Sequence, residues 1–279
     1  MKLVRFGEAG AERPGLVDQQ GRIRDVSGVV ADWAGETLGK ASLAALASRD
    51  PATFPVVAAG VRLGPPVATP GKIICIGLNY ADHAAETGFE IPKEPLVFFK
   101  SPTALCGPHD AIRIPKTASA VDWEVELAFV IGREVANVDE GEALAAVAGY
   151  TVANDLTERE WQFNRGGQWS KAKSADTFCP FGPWLVTADE MRDLATRRIW
   201  LKKNDVVRQD THLRRLVFSV PQIVAHLSEF MRLMPGDAVL TGTPFGVAFN
   251  KPKPDYLAAG DVIHCGIDGL GEQLCTVTD

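Results

Sequence analysis

Cysteine is scarce and unpatterned in this chain. The five residues, Cys75, Cys106, Cys179, Cys265 and Cys275, are odd in number, widely spaced and form no CxxC pair. That argues against a disulfide framework or a thiolate zinc site and fits reduced thiols in a cytoplasmic protein. No apolar stretch is long enough to span a bilayer, and the opening residues MKLVRFGEAG lack the apolar core of a signal peptide. No long run of like charges stands out, although the formal net charge is -6. Neither a nucleic-acid footprint nor a membrane-surface patch is expected. Internal repeats and low-complexity segments are also missing. The acidic average still permits an anionic substrate, because a metal ion or a few lysines and arginines can reverse the field inside a cleft.

What is present is apolar and turn-rich. Hydrophobic residues make up 46% of 279 positions, enough for one sizeable core or a core with a small appended domain. With 26 glycines and 18 prolines, the chain reads as strand-dominated with few helices. Residues 1–67 form a predicted small β-rich leading module, with strands at 2–6, 13–17 and 22–26 and a short helix at 43–47. A Pro/Gly-rich linker follows, and residues 71–279 form the predicted main domain. There, residues 72–77 read as a strand buried on both faces, and 95–100 and 123–131 as further strands. Asn204-Asp205 between two strand-like runs signals a hairpin. Ser219-Val-Pro-Gln222 signals a capped helix start.

The segment at 121–131, Val-Asp-Trp-Glu-Val-Glu-Leu-Ala-Phe-Val-Ile, is the most informative. Alternation along a strand puts Trp123, Val125, Leu127 and Phe129 on one face and Glu124 and Glu126 on the other, about 7 Å apart. The glutamate face continues into Ala128 and Val130, so it is apolar further along. Carboxylates there repel and suffer desolvation unless a cation lies between them. Two readings stand side by side: an edge strand with a wet face, or half of a metal site. Asp155, after the apolar run at 149–153, is either a third oxygen ligand or the N-cap of a helix beginning near Thr157. Three carboxylates without histidine or cysteine suit a hard ion such as Mg²⁺ or Mn²⁺.

Five strings occur in order: Gly77-Leu-Asn-Tyr-Ala-Asp-His83-Ala-Ala-Glu86, Trp123-Glu-Val-Glu-Leu127, Asn154-Asp-Leu-Thr-Glu-Arg-Glu-Trp-Gln162, Ala172-Lys-Ser174 and Leu240-Thr-Gly-Thr-Pro-Phe-Gly246. Together they resemble the catalytic domain of the fumarylacetoacetate hydrolase family, from about Gly71 to the C-terminus. The resemblance implies an α+β, mainly β fold, a mixed β-roll with peripheral helices. It implies Mg²⁺ or Mn²⁺ on Glu124, Glu126 and Asp155, and a homodimer. It places Lys173 and Gln162 beside the metal and substrate, Thr243 at the substrate carboxylate, and the water-activating dyad His83 and Glu86 on a lid. Arg159, Glu158 and Glu160 read as an exposed helical face and are not assigned to the site.

The implied reaction is hydrolysis of a 2,4-dioxo acid at its C3–C4 bond, giving pyruvate or a derivative and a second acid. The first string extended through Thr87-Gly88, and the segment Trp-Ser-Lys-Ala-Lys-Ser-Ala-Asp-Thr-Phe at 169–178, look most like sugar-acid members acting on 2,4-didehydro-3-deoxy-rhamnonate or -fuconate. Two other readings remain. One is a decarboxylase, tautomerase or hydratase using the same ion. The other is a non-catalytic protein that binds metal and a 2-oxo acid.

Overall fold

Runs of β-branched and aromatic residues become strands here, and their pairing order decides where the acidic side chains meet. The computed structural model describes residues 1–88, 90–249 and 251–279. Its larger sheet has eleven strands. From one edge to the other, the main path runs Ile23–Asp25, Arg13–Val17, Lys2–Phe6, Cys179–Thr187, Val147–Asn154, Val125–Ile131, Ala238–Leu240, Ile73–Gly77 and Leu96–Lys100. Neighbours on this path are antiparallel except Ala238–Leu240 with Ile73–Gly77, which are parallel. A second sheet of five strands is ordered Val206–His212, Arg198–Lys203, Val262–Ile267, Gly271–Thr278 and Ile112–Arg113. This is the α+β, mainly β class expected.

Every residue of Val125–Ile131 is buried. The strand is therefore central, with covered faces, and the wet-edge reading of the glutamates is excluded. The strand predicted at 123–131 begins two residues late, at Val125, and Val121–Asp122 just before it pairs separately with Thr157–Glu158. Residues 1–67 join the larger sheet through hydrogen bonding of Lys2–Phe6 to Cys179–Thr187, with Leu3 opposite Leu185. Asn204 and Asp205 form the expected hairpin turn, both at positive φ (49° and 64°), the twist that two-residue hairpins require. The helix Val220–Phe230 starts from the Ser219/Gln222 capping box. It ends at Phe230, and the chain turns extended at Met231.

Two buried glutamines tie the sheets together. Gln273 donates through Nε2 to the Val152, Pro180 and Gly182 carbonyls. Gln209 accepts from Val125 N at 3.0 Å and donates to Thr243 Oγ1 and Pro244 O, both at 2.8 Å. Each buried amide is satisfied only when both sheets are in place.

Candidate active site

Strand register assembles the acidic cluster. Val125 lies opposite Asn154 across an antiparallel pair, so Glu124 and Asp155, each one step beyond the regular ladder, come together. Asp155 N donates to Glu124 O at 2.8 Å. Glu126 sits two residues along the same face, and ligand oxygens of Glu124, Glu126 and Asp155 all lie within 4.8 Å of one another. All three are buried. The helix-cap alternative for Asp155 fails, because the helix Arg159–Asn164 is capped by Glu158, which accepts from Trp161 N at 2.5 Å.

Three buried cations face this cluster. Lys173, at the end of the short helix Trp169–Lys173, donates to Glu124 Oε2 and Asp155 Oδ2 at 2.7 Å and to Thr157 Oγ1 at 2.8 Å. Arg159 donates through Nη2 to Glu124 Oε1 at 2.7 Å, through Nε to Asp122 Oδ2 at 2.9 Å, and through Nη1 to Gln162 Oε1 at 2.9 Å. Lys100 donates to Asp155 Oδ1 at 2.6 Å and to Leu156 O at 3.2 Å. Arg159 is thus a correction to the sequence reading, which set it on an exposed face. It opens the first turn of its helix and is turned inward by its carboxylate partners. Lys100 was also missed. It shares the inward face of Leu96–Lys100 with Phe98, and that alternation was the available signal.

The resulting electrostatics divide the carboxylates. Burial pushes Glu124 upward, but Lys173 and Arg159 together outweigh it and hold the carboxyl at about 2. Glu126 forms no ion pair among the described residues; Gly242 N donates to it at 2.7 Å. Burial first, then the neighbouring Asp155 and Glu124 charges, push Glu126 well above the carboxylate range. Burial also works against the Lys173 ammonium, yet Asp155 and Glu124 overcome it and keep the lysine protonated.

These residues fit a divalent ion. Three buried oxygen donors converge, and one of them lacks a counter-charge among the described residues. The Tyr80 hydroxyl, buried and without a hydrogen-bond partner among those residues, feels the Glu126 charge. Three cations oppose the four carboxylates Asp122, Glu124, Glu126 and Asp155. A divalent ion would leave the cluster one charge positive, which suits a monoanionic 2-oxo acid.

Of the remaining candidates, His83, Gln162 and Thr243 line one cleft with Glu124, Glu126 and Lys173, and Glu86 stands behind His83 rather than in the lining. His83 and Glu86 lie on the helix Ala81–Thr87, with His83 Nδ1 3.7 Å from Glu86 Oε2. Glu86 also accepts from Gly246 N at 2.9 Å. Burial raises the Glu86 carboxyl, but the His83 and Gly246 hydrogen bonds prevail and hold it below its ordinary value. Gln162 Oε1 must face Arg159, since a guanidinium only donates; its amide NH₂ is therefore its outward donor. Thr243 gives its hydroxyl hydrogen to Val125 O at 3.0 Å and receives one from Gln209. Its hydroxyl is therefore an acceptor toward the cleft rather than a donor to a carboxylate. Lys173 likewise has three acceptors for its three N–H bonds.

Residues 72–278 match the family model described as fumarylacetoacetate (FAA) hydrolase C-terminal. A Burkholderia multivorans protein bearing a provisional hydrolase name is 54% identical over 275 residues, 98% of each chain. The fumarylacetoacetate hydrolase of Exiguobacterium antarcticum superimposes with a TM-score of 0.86 at 33% identity, covering 100% of this chain and 99% of that one. The maleylpyruvate hydrolase of Sphingobium sp. SYK-6 gives 0.82 at 32% identity, again over 100% and 99%.

Proposed function

This chain belongs to the fumarylacetoacetate hydrolase family, and we propose that it hydrolyses the C3–C4 bond of a 2,4-dioxo acid. The carrying observation is His83, paired with Glu86, in one cleft with Glu124 and Glu126 of the three converging carboxylates. Mg²⁺ or Mn²⁺ on Glu124, Glu126 and Asp155 would supply Lewis-acid stabilisation of negative charge at the 2-oxo end of the substrate.

The side chains divide the rest of the work. His83, oriented by Glu86, takes a proton from water as the hydroxyl adds to C4. Gln162, its NH₂ directed outward by Arg159, donates to the oxyanion developing on the C4 oxygen, with the Lys173 and Arg159 charges behind it. The C3–C4 electron pair then moves to C3, and His83 returns its proton there. The products are the second acid, containing C4, and pyruvate. Because the Thr243 hydroxyl hydrogen is engaged, and the Thr241 and Gly242 N–H groups serve Leu127 O and Glu126, we assign recognition of the substrate carboxylate to the Thr243 backbone N–H.

The test is pyruvate release from a panel of acylpyruvates with either ion, by the wild-type protein and by His83→Ala. Release by the wild type, and its loss in a variant that still gains thermal stability from Mg²⁺, supports the reading. Unchanged release by His83→Ala overturns it. The family holds isomerases as well as hydrolases, and isomerisation or decarboxylation requires no activated water. Oxaloacetate decarboxylation or double-bond migration that survives His83→Ala would assign the site to that chemistry.

A further inference from the structure

Beside its charged groups, the cleft is lined by four aromatic rings, Phe98, Phe163, Trp169 and Phe249. They form two pairs. Phe163 and Phe249 stack with centroids 4.8 Å apart and planes 27° apart. Phe98 and Trp169 meet edge to face at 5.4 Å. Each pair begins at a cation of the cleft: Arg159 Cζ is 5.3 Å from the Phe249 centroid, and Lys173 Nζ 5.0 Å from that of Phe98. Gly77 makes room for this lining, since a Cβ there would stand 2.8 Å from the Trp169 ring.

The cationic groups along the cleft, and the Thr243 hydroxyl hydrogen, are already committed. Arg159 serves Asp122, Glu124 and Gln162, while Lys173 serves Glu124, Asp155 and Thr157. The Thr243 hydroxyl hydrogen belongs to Val125 O. Among the described residues, neither lysine nor arginine of the cleft remains to receive a second carboxylate. Nor is there a set of donors and acceptors for a string of hydroxyls, which would be desolvated unpaired. Phe163, at 39% exposure, presents an open apolar face instead.

Building on the hydrolase reading above, we infer that the substituent beyond C4 is apolar, an aryl or branched alkyl group seated against Phe163 and Phe249. This argues against the hydroxyl-rich sugar-acid substrates that the motif strings suggested. Phe163 and Phe249 are specificity residues: they recognise the tail and leave the 2-oxo acid head to the charged groups.

Three 2-oxo acids without a C4 ketone separate binding from turnover: 2-oxobutanoate, 4-phenyl-2-oxobutanoate and 2-oxoglutarate. Their affinities are measured calorimetrically with Mn²⁺ present. Burial of a phenyl ring predicts binding of the 4-phenyl acid about tenfold or more tighter than 2-oxobutanoate. 2-Oxoglutarate should gain nothing over 2-oxobutanoate. Phe163→Ala and Phe249→Ala should each reduce the phenyl advantage, read as the ratio of the 4-phenyl acid's affinity to that of 2-oxobutanoate in the same variant; Phe163 is exposed enough for its truncation to leave the fold intact.

Tighter binding of 2-oxoglutarate, or a phenyl advantage that survives both variants, overturns the inference. Saturable binding of none of the three overturns it together with the hydrolase reading. Turnover of 4-phenyl-2,4-dioxobutanoate is followed in parallel. The expected affinity order without pyruvate release would sink the hydrolase reading alone. Pyruvate release with a reversed order would sink this inference alone.

Discussion

Lys100 and Asp155 meet in full burial, ammonium to carboxylate at 2.6 Å, with neither side chain reached by solvent. The lysine closes the larger sheet's last strand, and the aspartate stands four strands' path away at the mouth of the carboxylate pair. One oxygen of Asp155 is held by Lys100 and the other by Lys173.

Removing Lys100 as Lys100→Met should leave a buried charge under-compensated. Breaking such a pair costs about 3–5 kcal/mol, a fall of roughly 10 °C in Tm for a chain of this size. A divalent ion supplies charge at the same carboxylate, so saturating Mg²⁺ should narrow the gap between variant and wild type. Differential scanning calorimetry with and without Mg²⁺ checks both; an unchanged gap would count against Asp155 as a ligand.

The metal-free protein should also titrate in a characteristic way. Glu126, raised well above the carboxylate range by burial and by Asp155 and Glu124, keeps a proton that the unfolded chain has released. Its contribution is therefore most favourable at low pH and lost as pH climbs from the ordinary carboxylate range through the raised value. Glu124 has the opposite sign: held at about 2, it stabilises above its ordinary value and loses that effect as pH falls toward 2. The Tm difference between wild type and Glu126→Gln isolates the first effect. That difference should grow with pH without metal and shrink on adding Mg²⁺; a pH-independent difference would refute the assignment.

Gly242→Ala should damage the site through the backbone. Gly242 has φ +97°, a Cβ there would lie 2.9 Å from both Asn79 Cβ and Ile76 O, and its N–H is the donor to Glu126. Strain of this kind costs about 1–3 kcal/mol. Gly260, at φ +92° with nothing within 4 Å of the added carbon, is the control for backbone strain alone. Gly242→Ala should lower Mg²⁺ affinity by calorimetry, and Gly260→Ala should not.

Arg159→Lys keeps the charge but cannot reach Asp122, Glu124 and Gln162 together. The Gln162 amide loses the contact that orients it, so kcat should fall on the order of 10²–10³. Far-UV circular dichroism should be unchanged. A full-rate Arg159→Lys enzyme would remove Gln162 from the oxyanion role.

Much of the site was legible because its logic is local. Alternation along the strand placed Glu124 and Glu126 on one face, and the apolar continuation at Ala128 and Val130 marked that face as covered. Asp155 became distinguishable from a helix cap only through the strand pairing that brings it to Glu124, which is a non-local fact. Arg159 was hidden because its neighbours Glu158 and Glu160 imitate a solvated helix turn. In the structure, Glu158 turns inward to cap the helix, and Arg159 follows it into the cluster. The leading strands were visible as strands, but their union with Cys179–Thr187 joins residues more than 180 positions apart and leaves no local trace.

Gln209 connects Val125 N, beside the carboxylates, to Thr243 Oγ1 and Pro244 O on the loop after Ala238–Leu240, while itself belonging to the other sheet. The catalytic unit is consequently indivisible. A truncation ending before residue 209 would keep Glu124, Glu126, Asp155 and Lys173 in its coding sequence, yet lose the tie between their strand and the loop. In evolutionary terms the smallest piece that can be transplanted with its chemistry intact carries both sheets.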